Sequence, residues 1–163
     1  MTNHSRARLA QITLVAMLAL AATLLKPGTA DAATSGGGCG AARYATTASA
    51  TISATACISF HGLSSPNTRP DAYLTFSAQY PTLWLYCGLD LFVRDLTTNR
   101  TIQYKSFNCT GVARQNAYGA RFALDNFNAA VGHRYQTNVS VFGTYDGRYL
   151  ASPIAYSGVL VVT

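Results

Sequence analysis

Glutamate is absent from these 163 residues, and lysine occurs only at Lys26 and Lys105. A carboxylate pair for glycoside hydrolysis would therefore have to come from aspartates. Of the candidates, Asp71, Asp125 and Asp146 stand in the turn sequences Pro70-Asp71, Asp125-Asn126 and Asp146-Gly147, where aspartate serves the backbone. Asp95 closes a strand, and Asp90 alternates with Phe92 and Arg94 on an outward face, where an ion pair accounts for it. There is no basic run either: arginines are scattered at 43, 69, 94, 100, 114, 121, 134 and 148. Without a patch or stripe of positive charge, nucleic acid is not an expected partner. No serine sits in a nucleophile-elbow pattern. The cysteines at 39, 57, 87 and 109 are spaced far wider than the two to four residues of a zinc ligand pair. No metal or other cofactor is expected.

Only one long apolar run is present, and it lies near the start. "MTNHSRAR" is a short positive head, residues 9–25 are apolar apart from Gln11 and two threonines, and Ala30-Asp31-Ala32 matches a signal-peptidase site. Residues 1–32 are predicted to be a cleaved secretory signal, in preference to a retained anchor, because the run is at the short limit for spanning a bilayer. Removing 32 of the 163 residues leaves 131, enough for one domain. Nine arginines and lysines against five aspartates then give a net charge near +4. The expected product is secreted, soluble, free of the membrane after cleavage, and a monomer.

Four cysteines in an exported chain are expected to pair. The stretch "LWLYCGLDLFVRDLTTNRTIQYKSFNC" selects the pairing. Leu83, Leu85, Cys87, Leu89, Leu91 and Val93 share one face of a strand, and Trp84, Tyr86, Asp90, Phe92 and Arg94 the other. "LTTNR" supplies a turn, with Asn99 tolerant of a left-handed conformation. Setting Cys87 opposite Cys109 centres the hairpin on Thr98, but pairs Val93 with Gln103 and Leu91 with Lys105. A one-residue slip pairs Val93 with Ile102 and Leu91 with Tyr104, which suits a core better. A bulge between Tyr104 and Cys109 reconciles the two. The predicted disulfides are Cys87–Cys109 and, by elimination, Cys39–Cys57.

Elsewhere the chain reads as short strands. Residues 33–42, rich in Gly and Ala, are expected to be flexible, and 43–163 to form the domain. Ile52, Ala54, Ala56, Ile58 and Phe60 make one face; Leu74, Phe76 and Ala78 another; Ala120, Phe122 and Leu124 a third; Tyr135, Thr137, Val139 and Val141 a fourth. Asp146-Gly147 signals a hairpin, Gly158 a bulge in the final β-branched run, and "LDNFNAAVG" one helical turn at most. About seven or eight strands with regular turn signals indicate an all-β antiparallel sandwich with two disulfides.

The segment Val131-Gly132-His133-Arg134-Tyr135, followed by Val139, Val141, Gly147, Ser152 and Pro153, resembles the closing strands of fibronectin type III and other immunoglobulin-like domains. That resemblance implies an immunoglobulin-like sandwich with Tyr135 as a corner residue whose hydroxyl bonds back to the upstream chain. The disulfide pattern is not that of antibody domains. The signal sequence, the Ala/Thr/Gly-rich start, the paired cysteines and the arginine bias together resemble small secreted proteins of actinomycetes such as Streptomyces, which implies location and compactness only.

Ten tyrosines, seven phenylalanines and one tryptophan exceed what such a core needs. If the second face of the central strand is wet, Trp84, Tyr86 and Phe92 form an aromatic strip edged by Asp90 and Arg94, suited to stacking on sugar rings or anchoring a protein. Tyr145, Arg148 and Tyr149 in "YDGRY" form a second candidate surface. The expected role is non-catalytic binding of an extracellular protein or polysaccharide of the cell envelope. The alternative is a small extracellular hydrolase using His61 or His133.

Overall fold

The structure is a computed structural model that describes residues 34–62 and 67–163. The predicted signal peptide and its cleavage site lie outside the described residues, as do residues 63–66 of the loop that follows Phe60. The strands are β1 (Thr34–Gly36), β2 (Gly38–Cys39), β3 (Arg43–Thr46), β4 (Ala50–Phe60), β5 (Thr68–Ala78), β6 (Trp84–Asp95), β7 (Arg100–Asn108), β8 (Ala120–Ala123), β9 (Arg134–Tyr145), β10 (Arg148–Ala151), β11 (Ala155–Tyr156) and β12 (Leu160–Val162). A 3₁₀ turn at Pro81–Leu83 precedes β6, and one helical turn, α1 (Thr110–Ala113), follows β7.

Two antiparallel sheets pack face to face. The first runs β1-β12-β9-β6-β7, with β10 and β11 also paired to β9; the second runs β2-β4-β5-β8, with β3 also on β4. Strands β10, β11 and β12 are successive pieces of one return path laid along β9. With β4 counted as first, the first, second and fifth strands (β4, β5 and β8) share one sheet, and β6, β7, β9 and the return path of β10 to β12 share the other. That connectivity is immunoglobulin-like.

The alternation read from the sequence fills the interior. Ile52, Ala54, Ala56 and Ile58 of β4 and Leu74 of β5 face Leu89, Leu91 and Val93 of β6 and Val139 and Val141 of β9, all out of reach of solvent. Burying each large aliphatic side chain stabilises the fold by roughly 1.5–3 kcal/mol. Tyr135 is the corner residue the resemblance implies: its hydroxyl accepts the backbone N–H of Ala130 at 3.0 Å. Burial pushes its phenol up, the Ala130 bond opposes that, and the nearby Asp95 charge adds to the rise.

Both predicted disulfides are present. Cys39 and Cys57 sit directly opposite each other on β2 and β4, and Cys87 joins Cys109 beyond the end of the β6–β7 hairpin ladder. The hairpin turn holds Asn99 at φ 56°, and the β9–β10 turn holds Asp146 and Gly147 at φ 49° and 72°.

Several expectations about the strands differ from the structure. The β6–β7 ladder keeps the register set by the cysteines, with Val93 opposite Gln103 and Leu91 opposite Lys105, and shifts only between Val93 and Arg94. The bulge therefore sits near the turn, with Ile102 as the extra residue, and not between Tyr104 and Cys109. An apolar inner face is not required of β7, because it is the sheet's edge and largely exposed along its length. Residues 34–39 of the segment expected to be flexible are strands: β1 pairs β12 of one sheet and β2 pairs β4 of the other. "LDNFNAAVG" stays within its limit of one helical turn at most, holding a single bridge, Phe127 to Thr68, while a helical turn occurs at α1. The final run is broken at 157–159, where the Ser157 hydroxyl accepts the N–H of Thr137 at 2.9 Å.

Candidate functional site

Strand β6 begins with a bulge. Trp84 pairs with Tyr145 and Tyr86 with Thr144, leaving Leu85 as the extra residue. The bulge rotates Trp84 into the core while Tyr86 stays outside. Trp84 is 0% exposed and packs edge-on against Phe76 at 5.8 Å and Tyr145 at 5.1 Å. Its indole N–H has no hydrogen-bond partner, while its carbonyl accepts from Arg114 Nε at 2.8 Å. Tyr145 is 1% exposed, and its hydroxyl accepts the N–H of Tyr80. Trp84 and Tyr145 are therefore interior residues, which corrects their assignment to a binding surface. Leu85, expected inside, is exposed instead.

The other candidates converge. Tyr86, Phe92 and Tyr149 lie on the same outer face of the first sheet, since Tyr86 and Tyr149 both pair with Thr144. The two surfaces the sequence suggested separately are one surface. Arg148 stands beside it at the exposed tip of the β9–β10 turn.

Register builds the face in rows across the strands. Tyr104, Phe92, Asn138 and Tyr156 form one row over β7, β6, β9 and β11. Adjacent strands lie about 4.8 Å apart, so the row spans about 14 Å. Tyr104 is 61% exposed and Tyr149 70%, with Tyr86 and Tyr156 each close to half exposed. Asn138, between Phe92 and Tyr156, is buried, and its carboxamide oxygen has no partner. A second row sets Gly88 against Phe142. The Phe142 ring and the Tyr86 hydroxyl lie over Gly88, where an added Cβ would meet them at 2.6 and 2.7 Å. Glycine is what lets these two aromatics settle on the sheet, and their rings are 6.1 Å apart.

Between the rows, Asp90 accepts from the Tyr104 hydroxyl at 2.9 Å and from Ser106 Oγ at 2.5 Å. Arg94 Nη2 donates to Asn99 Oδ1. Sequence reasoning missed Tyr104, Phe142 and Tyr156. The cysteine register would have placed Tyr104 beside Phe92, and the alternation of Val139 with Val141 would have turned Phe142 outward.

The histidines lie elsewhere. His133 Nδ1 is 2.8 Å from Asp95 Oδ2, and the same carboxylate accepts from the Thr97 N–H at 2.9 Å, the Thr98 N–H at 3.3 Å and Thr98 Oγ1 at 2.8 Å. Burial alone would raise the Asp95 carboxyl; the bonds from the Thr98 hydroxyl, His133 and the two N–H groups outweigh it and hold it below the ordinary carboxylate value. This network ties the β6–β7 turn to the start of β9. Among the described residues, no serine, threonine or cysteine side chain hydrogen-bonds to His133. His61 is exposed, with Nε2 3.2 Å from Ser59 Oγ.

The second sheet's outer face contrasts with the first. Thr51, Ser53, Thr55 and Ser59 of β4 and Thr75 and Ser77 of β5 point outward, opposite in phase to the buried residues, and two exposed rings, Tyr44 opposite Ser53 and Tyr73 opposite Thr55, stand on either side of β4 among them. Its one buried charge, Asp71, takes Arg121 Nε at 2.9 Å, a bond that raises the guanidinium further above its ordinary value. Among the described residues, no cluster of three or more His, Cys, Asp or Glu could hold a metal ion. None of their helices is long and apolar enough to cross a membrane. Comparison with protein-family models, curated proteins and solved structures returns no match, so the site is defined by its own geometry.

Proposed function

We propose that this is a secreted, non-catalytic protein that binds an extracellular polysaccharide through the outer face of its first sheet. The observation that carries the reading is the row Tyr104–Phe92–Asn138–Tyr156, flanked by Tyr86, Phe142 and Tyr149. Aromatic faces stack on the apolar faces of sugar rings, while hydroxyls at the ring edge and the tyrosine hydroxyls exchange hydrogen bonds. A row crossing the strands offers several stacking positions along one line, Tyr104 and Phe92 on neighbouring strands and Tyr156 two strands further on, which suits a polymer of repeating rings. Two disulfides fit an extracellular protein, and the positive head, apolar run and cleavage pattern of the first 32 residues support export.

The test is retention of the full chain on insoluble chitin, cellulose and peptidoglycan. Retention on at least one is expected, with loss in the Tyr104→Ala, Tyr156→Ala variant. A Thr51→Ala, Thr55→Ala variant on the opposite face should behave as wild type. Retention unchanged by the tyrosine substitutions would end the proposal.

A further inference from the structure

Among the described residues, the sandwich has one long open edge. Natural sheets limit exposed edges by keeping edge strands short, and most edges here follow that rule. β1 has 3 residues, β3 has 4 and β8 has 4, whereas β7 has 9. β7 pairs with β6 on one side and ends the sheet on the other.

Its free backbone groups can be assigned. The Cys109 N–H donates to the Cys87 carbonyl at 2.9 Å. Bonded and non-bonded pairs alternate along an antiparallel ladder. The N–H and C=O of Tyr104 and Ser106, opposite Phe92 and Asp90, therefore point away from β6, towards the open edge.

The charge on the strand itself has one sign. Strand β7 carries Arg100 and Lys105 and no acid. Of the neighbouring acids, Asp95 is held by the turn and His133, whereas Asp90 accepts from the neutral hydroxyls of Tyr104 and Ser106 and keeps its charge, leaving two cations against one carboxylate at the edge. Two copies of β7 paired with each other would bring four cations together against only the two Asp90 carboxylates of the adjoining strands, which disfavours self-association at this edge.

We propose that the open edge of β7 takes up an extended acidic peptide segment as an added strand, with Tyr104 and Ser106 supplying main-chain hydrogen bonds and Arg100 and Lys105 supplying charge complementarity. This site uses the strand's backbone and its two cations, whereas polysaccharide binding would use the aromatic rings, so either can fail alone.

The test titrates the full chain with three synthetic eight-residue peptides: alternating Thr-Glu, alternating Thr-Lys, and Thr-Glu with every second amide N-methylated. Amide hydrogen exchange reads the site. The Thr-Glu peptide should bind and slow exchange at Tyr104 and Ser106, and the other two should bind at least about tenfold more weakly. An Arg100→Glu, Lys105→Glu variant, altered only at exposed positions, should prefer the Thr-Lys peptide. Absence of Thr-Glu binding, binding indifferent to N-methylation, or protection elsewhere would overturn the proposal.

Discussion

Along β4 the outward positions hold Thr51, Ser53, Thr55 and Ser59; along β6 and β9 they hold Tyr86, Phe92, Asn138 and Phe142. Both faces are built on the same alternation over the same interior. The first is clad mainly in short hydroxyls, some meeting each other, as Thr51 and Thr46 do at 3.3 Å, with Tyr44 and Tyr73 as isolated rings. The second presents rings that give up only part of their surface to packing. A β-sandwich does not need a row of adjoining aromatics on its outer face to fold, as the mainly hydroxyl face, with only Tyr44 and Tyr73 set apart across β4, demonstrates within the same molecule. What folding requires sits between the sheets; what distinguishes them lies outside.

That contrast can be broken most severely at Trp84. Trp84→Ala should lower stability by about 4 kcal/mol, the usual loss for a fully buried large aromatic, read as a fall in the urea midpoint at constant slope. The folded fraction should keep whatever ligand retention the wild type has; its loss would place Trp84 with the outer face after all. Next comes the core disulfide. Replacing Cys87 and Cys109 together by alanine frees a loop spanning 22 positions and should cost about 3 kcal/mol in the same titration. A loss below about 1 kcal/mol would mean the hairpin persists in the unfolded chain.

The smallest effect belongs to the end of the sandwich, apart from either face. Asp95 has its carboxyl held low by its bonds, so its contribution is present above the unfolded value and disappears as pH falls through the folded one. Asp95→Asn should lower stability at pH 7 by about 2 kcal/mol and flatten the acid dependence below about pH 4. An unchanged acid limb would assign that dependence to other carboxylates. Retention on polysaccharide should not follow this substitution.

The sandwich, both disulfides and the inward residues of β4, β5, β6 and β9 were legible because a single buried face imposes strict alternation on a strand. The site was legible only in part. One inserted residue, Leu85, reversed the side that Trp84 faces, and no local pattern announces a bulge whose cause is the fit of an indole between Phe76 and Tyr145. Tyr104 was misread because β7 was assumed to face a core, whereas edge position is a property of the whole sheet. The strands at 34–39 escaped notice because glycine carries no side-chain periodicity, and their partners lie far along the chain.

Thr34 lies opposite Val162 at the outer end of the β1–β12 pair. Tension applied between these two points would open that pair like a zip, one bond after another, instead of shearing the ladder as a block. On the side of Thr34 the opening halts at Cys39, whose sulfur is tied to β4 in the other sheet. The staple at the surface thus acts as a stop: it sets how much of the leading segment a pull can strip before the load reaches the interior.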